Sequence, residues 1–119
     1  MLQEISDALE STGERVWYGM AAQLSGEDVW NYVVFYRLNL GVNQSKTSFV
    51  DVYEVTIVHE EYIPDEVITK VIDAMRSIPG MRLHNVNGVY QYTTKPNTEQ
   101  VLELLSLDFV RPSKVCSNG

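Results

Sequence analysis

The chain has 119 residues, 45% of them hydrophobic and 21% charged, and its formal net charge is −7. This length and composition fit one globular domain and exclude a disordered chain. The acidic balance argues against non-specific binding to nucleic acid or to anionic lipid, because both need a basic surface. The single cysteine, Cys116, closes no internal disulfide and favours a reducing compartment such as a cytoplasm. No segment resembles a signal peptide or a membrane span.

The first two predicted elements are a helix and a short extended segment. Apolar residues recur at helical spacing over residues 2–11, and polar residues occupy the other side. Gly13 suits the left-handed position after a helix, so we expect the helix to end before it. Residues 16–18, Val-Trp-Tyr, predict an extended segment that ends at Gly19.

The first strong strand is predicted over residues 29–38, which are rich in β-branched and aromatic side chains. Alternation places Trp30, Tyr32 and Tyr36 on one face and Phe35 on the other. A strand that is apolar on both faces is either central in its sheet or covered by a partner. Trp and Tyr are enriched where proteins meet, so the sequence leaves both interpretations open.

Residues 39–48 are predicted to form a loop, because they are polar, contain a glycine and show no period. A loop of about ten residues is long for a connection between two strands, and long loops are often functional. Residues 49–59 then alternate between apolar and polar side chains and predict a second strand.

The second helix is predicted to begin at Ile63-Pro64, because the missing N–H of proline is harmless in the first turn. Asp65 and Glu66 suit the positive end of the helix dipole, and Pro79-Gly80 ends the helix. Its buried stripe consists of Val67, Ile68, Val71, Ile72 and Met75.

Shorter strands are predicted at residues 81–83 and 89–94, joined by a hairpin turn at Asn87-Gly88. After a turn at residues 95–97, a last strand is predicted from Glu99 to Arg111, and Pro112 is expected to end it.

Short connections favour antiparallel neighbours. The predicted fold class is therefore α+β, a twisted antiparallel sheet of four to five strands with two helices packed on one face. Residues 1–112 are predicted to form a single domain, and residues 113–119 a flexible C-terminal tail.

Motifs for enzyme chemistry are largely missing from the sequence. It has no glycine-rich phosphate loop and no Gly-x-Ser-x-Gly. His59 begins a segment that resembles a zinc-protease motif, but that motif needs a second His where Ile63 stands. Cys116 lies in the predicted tail, a poor place to hold a nucleophile. We therefore predict no catalytic residue, no metal site and no cofactor.

From residue 50 to residue 114 the order of segments resembles a known protein family. The segments that carry the resemblance are Tyr53-Glu54-Val55-Thr56-Ile57-Val58-His59-Glu60 running into Tyr62-Ile63-Pro64, Ile78-Pro79-Gly80-Met81-Arg82-Leu83, Tyr90-Gln91-Tyr92-Thr93-Thr94-Lys95-Pro96-Asn97-Thr98 and Leu107-Asp108-Phe109-Val110-Arg111. The preceding residues match in outline only. The chain resembles the tail terminator, or tail-completion, proteins of bacteriophages with long non-contractile tails, especially those of Gram-positive hosts.

The resemblance implies an α+β fold and a purely structural role. Members of the family form hexameric rings that bind the last-added end of the tail tube, stop its polymerisation and present a surface for head joining. The implied location is the head-proximal end of the virion tail, after assembly in the host cytoplasm. The implied partners are further copies of the chain, the tail tube protein and a head-completion connector, with no nucleic-acid sequence recognition and no membrane.

If the resemblance holds, contacts are expected from loops and sheet edges. We predict that Trp30, Tyr32 and Tyr36 pack between subunits, and that Arg111 and Lys114 make polar contacts with an acidic neighbour. The predicted loop should contact the tube or a neighbouring subunit through Leu40, Val42, Asn43, Gln44 and Lys46.

Three other functions compete with this interpretation. A head-completion or connector protein would join heads to tails without limiting tail length. A small ligand-binding or regulatory α+β domain would be a monomer or dimer with a pocket. A small enzyme would need catalytic residues scattered outside any recognised motif.

Overall fold

Two helices and six strands make up the described part of the chain in a computed structural model, which describes residues 1–21, 23–42, 48–84 and 88–114. In chain order they are α1 (Leu2–Glu10), β1 (Arg15–Tyr18), β2 (Tyr32–Val42), β3 (Ser48–Glu60), α2 (Asp65–Arg76), β4 (Arg82–Leu83), β5 (Val89–Thr94) and β6 (Val101–Lys114). The predicted α+β class is confirmed.

All six strands belong to one mixed sheet, in the order β1-β2-β3-β6-β4, with β5 also paired to β6. The expectation of an entirely antiparallel sheet is wrong at one place, because β1 pairs parallel to β2. A parallel pair needs a connection of about a dozen residues or more. Residues 19–31 provide that length between the two strands.

β4 and β5 do not form the hairpin that was predicted at Asn87-Gly88. Both strands instead pair antiparallel to β6, one after the other along the same edge. The Gly88 Cβ position would lie 2.9 Å from side-chain carbons of Leu105 and Leu107, so the chain passes close to β6 here. Pairing to the long central β6 prevails over the local turn signal; residues 85–87 lie outside the described part of the chain.

The hairpin of β2 and β3 is longer than predicted. β2 begins at Tyr32 and continues to Val42, and β3 begins at Ser48, so residues 39–42 and 48 of the predicted 39–48 loop are strand. The register shifts between Arg37 and Asn39, where β2 carries one extra residue opposite β3. Cross-strand pairing resumes beyond this bulge. The polar composition of residues 39–48 could not reveal that pairing.

β6 also continues beyond its predicted end, through Pro112 to Lys114. Pro112 pairs with Val50 of β3, and β4 begins only at the level of Val110. With no described strand on the other side of β6 at this level, the missing N–H of proline breaks no ladder bond there. Residues 113 and 114 of the predicted flexible tail are thus strand, and residues 115–119 lie outside the described range.

Both helices pack on one face of the sheet, as predicted. Helix residues and strand residues share one buried core, which includes Ile5, Leu9, Val71 and Met75 from the helices and Val33, Phe35, Val55, Ile57, Leu107 and Phe109 from the strands. α2 follows Pro64 and carries Asp65 and Glu66 in its first turn, and Gly80 adopts a positive φ of 82° behind it. The stop and start signals of this helix are therefore confirmed.

Three strands continue beyond the described ends of β1 and β4. We call this part the three-stranded extension; it comprises residues 40–42 of β2, 48–51 of β3 and 111–114 of β6. β1 reaches only the level of Phe35, and β4 begins opposite Val110. The extension helps to explain why the molecule measures 53 × 25 × 23 Å along its principal axes.

Candidate assembly surfaces

The sheet face opposite the helices carries an aromatic cluster that is covered within the chain. Its buried members are Tyr32, Val34 and Val58, and packed against them lie Trp17, Ala21, Leu24, Trp30, Tyr36 and Leu104. The predicted alternation is confirmed, since Phe35 belongs to the helix-side core. Only 8% of Tyr32 is exposed, and burial raises the pKa of its hydroxyl. Of the three aromatic residues predicted to contact a neighbour, Trp30 and Tyr36 keep surface available for one.

Residues 23–31, the covering segment, lie over this cluster. Hydrogen bonds hold both the side chain and the backbone of Trp30. Its Nε1–H donates to the Ser25 carbonyl at 2.8 Å, and its backbone N–H donates to Glu60 Oε2 at 2.9 Å. The backbone N–H of Glu60 donates in turn to Asn31 Oδ1 at 3.0 Å. The end of β3 therefore anchors the segment through Glu60.

Lys95, in the turn between β5 and β6, completes this anchor. Its Nζ lies 2.7 Å from Glu60 Oε2 and donates to the Asp28 carbonyl at 2.9 Å. Only 8% of this lysine is exposed. The hydrogen bond from Lys95, followed by that from the Trp30 N–H, lowers the pKa of the Glu60 carboxyl. The sequence predicted a turn at Lys95 but not this anchor, since the partners of Lys95 lie far away along the chain.

Replacing Lys95 with methionine should weaken the fold by about 1–2 kcal/mol, between the values for exposed and buried ion pairs, because Glu60 is partly exposed. Glu60 has a lowered pKa, so its contribution is present above its ordinary pKa and is lost as the pH falls through the lowered value. Urea unfolding should show a difference from wild type that shrinks in acid below pH ~4. Lys70→Met, on the exposed surface of α2, is the control and should change little. Equal losses in both variants would contradict the anchor.

A polar row crosses the same face beside the aromatic cluster. Tyr36, Glu54 and Asp108 are in register across β2, β3 and β6, and the Tyr36 hydroxyl donates a short hydrogen bond to Glu54 Oε1. This bond, with burial and the nearby carboxylate charges, raises the pKa of Tyr36 to about 12. In the next row, Thr56 and Ser106 hydroxyls lie 3.0 Å apart. Tyr36 thus already has a partner inside the chain.

The Tyr36–Glu54 bond predicts a late alkaline transition. Because the fold stabilises the neutral phenol, this contribution is present below pH ~10 and is lost as the pH rises through about 12. Tyr36→Phe should remove the latest-titrating phenol from an absorbance titration and flatten the stability loss above pH ~10. Glu54→Gln should instead shift that phenol toward the ordinary tyrosine pKa. Identical titration curves for all three proteins would contradict the assignment.

Four of the remaining predicted contact residues, Leu40, Val42, Arg111 and Lys114, lie in the three-stranded extension. Arg111 Nε donates to the Pro79 carbonyl at 2.9 Å, so this side chain holds the turn after α2 against β6. Lys114 pairs with Ser48 at the end of β6. Leu40 and Val42 belong to β2, not to a loop. Three further predicted contact residues lie outside the described part of the chain: Asn43, Gln44 and Lys46.

Sequence analysis did not single out the most exposed aromatic surface, the edge strand β5. Every residue from Val89 to Thr94 is exposed, including Tyr90 and Tyr92. The uncharged run Val-Tyr-Gln-Tyr-Thr-Thr was a usable signal, because exposed strand edges normally carry charge or proline. The run predicted a strand and carries part of the family resemblance, but it was not predicted to be a contact surface.

Among the described residues, no group of three or more His, Cys, Asp or Glu could hold a metal ion. The His59 side chain is paired with a carboxylate, since its Nε2 lies 2.7 Å from Glu14 Oε1. Two of the surface depressions are shallow. One lies between α1 and α2, and the other lies between the covering segment and the turn 95–98. Within the described ranges no helix is long and apolar enough to cross a membrane.

No protein-family model matches the chain, and a search of curated proteins finds no significant match.

Proposed function

We propose that this protein is a structural assembly protein of a phage tail, of the tail terminator type. Copies of the chain would form a ring, hexameric in the resembling family, at the head-proximal end of the tail tube. The ring would stop tube polymerisation and offer the surface to which a head-completion connector joins. Virion localisation and these partners belong to the same proposal.

The three-stranded extension is the observation that supports it best. β2, β3 and β6 maintain their pairing to Val42, Phe49 and Ser113, beyond the level at which the described edge strands stop. Strand edges without neighbours are templates for pairing with other chains. A protein that must meet a tube on one side and a connector on another needs such projecting surfaces, whereas a monomeric binding domain has no use for them.

Deletion of the gene from its phage, followed by negative-stain electron microscopy of the lysate, tests the proposal. A terminator predicts overlong headless tubes beside filled, tailless heads. Tails of normal length lying unattached beside filled heads would indicate a head-completion connector instead. Intact infectious particles would overturn the structural role altogether.

Complementation of that deletion then tests the extension itself. Val50, on β3 within the extension, is exposed, and Val50→Lys should fail to restore tails of normal length because it places a charge on the proposed contact surface. Thr69→Lys adds the same charge on the exposed surface of α2 and should complement. Complementation by both variants would exclude this part of the extension as the contact.

A further inference from the structure

Charge is segregated along the long axis of the molecule. What we call the acidic end lies where β3 ends and β6 begins, and it includes the turns beside them and the first turn of α2. Its exposed carboxylates are Glu27, Asp28, Glu61, Asp65, Glu66 and Glu99. Lys95 at this end is buried against Glu60, whereas Arg15 at the start of β1 is an exposed cation. The exposed charge of the acidic end is therefore strongly negative.

Hydrogen bonds hold the parts of the acidic end together. The Glu61 N–H donates at 2.8 Å to the carbonyl of Val101, which follows Glu99 by two residues. The Ile63 N–H donates to Glu103 Oε1 at 2.8 Å, shortly before α2 begins. The covering segment is anchored at the same end of β3. Carboxylates that are distant in sequence therefore share one end of the molecule.

The opposite end of the sheet, at the base of the three-stranded extension, is basic. At or beyond the level of Phe109, the described strands carry one carboxylate, Asp51, and the cations Arg37, Arg82, Arg111 and Lys114. Arg76, in the last turn of α2, adds a further cation. We call these cations together the basic end. The side chains of Arg37, Arg76 and Arg82 are exposed.

The two ends are too far apart to neutralise each other within one molecule. Leu102 at the acidic end and Phe109 at the basic end are separated along β6 by about 24 Å of extended chain. At physiological ionic strength exposed charges are screened over about 8 Å. Each end therefore presents its own charge to the solvent.

Each end also exposes apolar surface beside its charges. At the acidic end Tyr62 is 64% exposed and Val101 is 44% exposed. At the basic end Leu38, which is the extra residue of the β2 bulge, is 46% exposed, and Val50 is 36% exposed. Protein interfaces combine an apolar centre with a polar rim, and arginine stacks favourably on tyrosine. Both ends therefore have the composition of a contact surface.

A second copy of the chain is the partner that fits both ends. Copies joined through two acidic ends, or through two basic ends, would oppose like charges. We infer that the acidic end of one copy binds the basic end of the next, so that carboxylates meet guanidinium groups. Such a head-to-tail contact generates a closed ring when the rotation closes and a filament when it does not. The contact itself is argued from the two ends, and its role as the subunit contact of a ring rests on the proposed function.

Charge reversal at one end at a time tests this contact. Arg37→Glu/Arg82→Glu places carboxylates in the basic end, and Glu61→Lys/Glu99→Lys places cations in the acidic end. Sedimentation velocity at up to about 1 mM protein and about 20 mM salt should show association of wild type that weakens at about 500 mM salt. Each variant alone should associate at least about tenfold more weakly, because every contact then includes one altered end. An equimolar mixture should form a one-to-one dimer, because one intact end of each sign remains.

A matched control separates this contact from a general effect of net charge. Glu4→Lys/Asp73→Lys, on the exposed surfaces of α1 and α2, changes the net charge as much as the acidic-end variant does and should associate like wild type. Arg82→Glu alone and Glu99→Lys alone replace the double variants if circular dichroism shows that either is unfolded.

Three results would each overturn the inference: wild type that stays monomeric throughout, association that neither end variant weakens, and a mixture that does not recover the dimer. Because tail length in the phage is measured separately, a monomeric protein that still limits tails would sink only this inference. An associating protein whose deletion leaves tails normal would sink only the proposed function.

Discussion

Replacing Phe109 with alanine is expected to lower the free energy of unfolding by about 3–5 kcal/mol, the usual cost of truncating a buried phenylalanine. Phe109 is 0% exposed and lies on the helix side of the central strand β6. Tyr53 of β3 and Leu83 of β4 are its register neighbours on either side. Truncation would therefore leave a cavity at the point where two strands and the helical layer meet.

Urea unfolding of purified protein measures this loss. The midpoint should fall while the dependence of the free energy on urea stays close to that of wild type, as expected for a change in stability alone. Val101→Ala, which removes two methyl groups from an exposed position on the same strand, should stay within about 0.5 kcal/mol of wild type. A Phe109→Ala loss below about 1 kcal/mol would show that this residue is not part of a closely packed core.

Local signals predicted the helices and several strand ends well. α2 follows Pro64 and ends before Pro79-Gly80 because the apolar stripe, the acidic first turn and the stop residues all agree within one short segment. The bounds of β5 were predicted at Val89 and Thr94, where turn residues stand on both sides. Each of these features depends on residues close together in sequence.

Pairing between distant segments was not predictable in the same way. The turn signal at Asn87-Gly88 was sound locally, yet β4 and β5 both pair with β6. Composition around Leu40 and Pro112 indicated a loop and a strand end, but ladders with β3 extend both strands. Single-sequence patterns report which segments prefer to be extended and do not identify the strand that will pair with them.

For the candidate surfaces, too, features set by nearby residues were predictable and features set by distant contacts were not. Alternation correctly placed Tyr32 and Trp30 on one face. Whether that face was free for a neighbour depended on the covering segment, whose position is set by contacts with Glu60 and Lys95, far along the chain. The sequence therefore identified the aromatic residues but not their cover.

Gly26→Val should release that cover and cost about 2–3 kcal/mol, the scale for exposing one or two large apolar side chains. A Cβ at Gly26 would lie 2.6 Å from the Pro96 carbonyl oxygen and 2.8 Å from Thr98 Cγ2. The first of these atoms is backbone in a turn closed by the Lys95 N–H to Gln100 carbonyl bond, so it cannot move aside cheaply. The covering segment must therefore move away from the turn.

Tryptophan fluorescence and urea unfolding report this displacement together. Trp17 and Trp30 both pack in the aromatic cluster, so lifting the segment should shift their emission to longer wavelength as well as lower the unfolding midpoint. Glu27→Val introduces the same side chain at the next, exposed position and should alter neither quantity appreciably. If Gly26→Val matches this control, Gly26 does not hold the segment against the turn.

The same experiment distinguishes the two interpretations of the aromatic face. A face that the chain covers for itself contributes to the stability of the monomer, so lifting the covering segment must destabilise dilute, unassociated protein. A face reserved for a neighbouring subunit would gain its stabilisation only on assembly, and Gly26→Val would then leave the dilute monomer unchanged while altering association. Because Tyr32 is buried and Glu60, Lys95 and Trp30 all hold the cover closed, we expect the loss in the monomer.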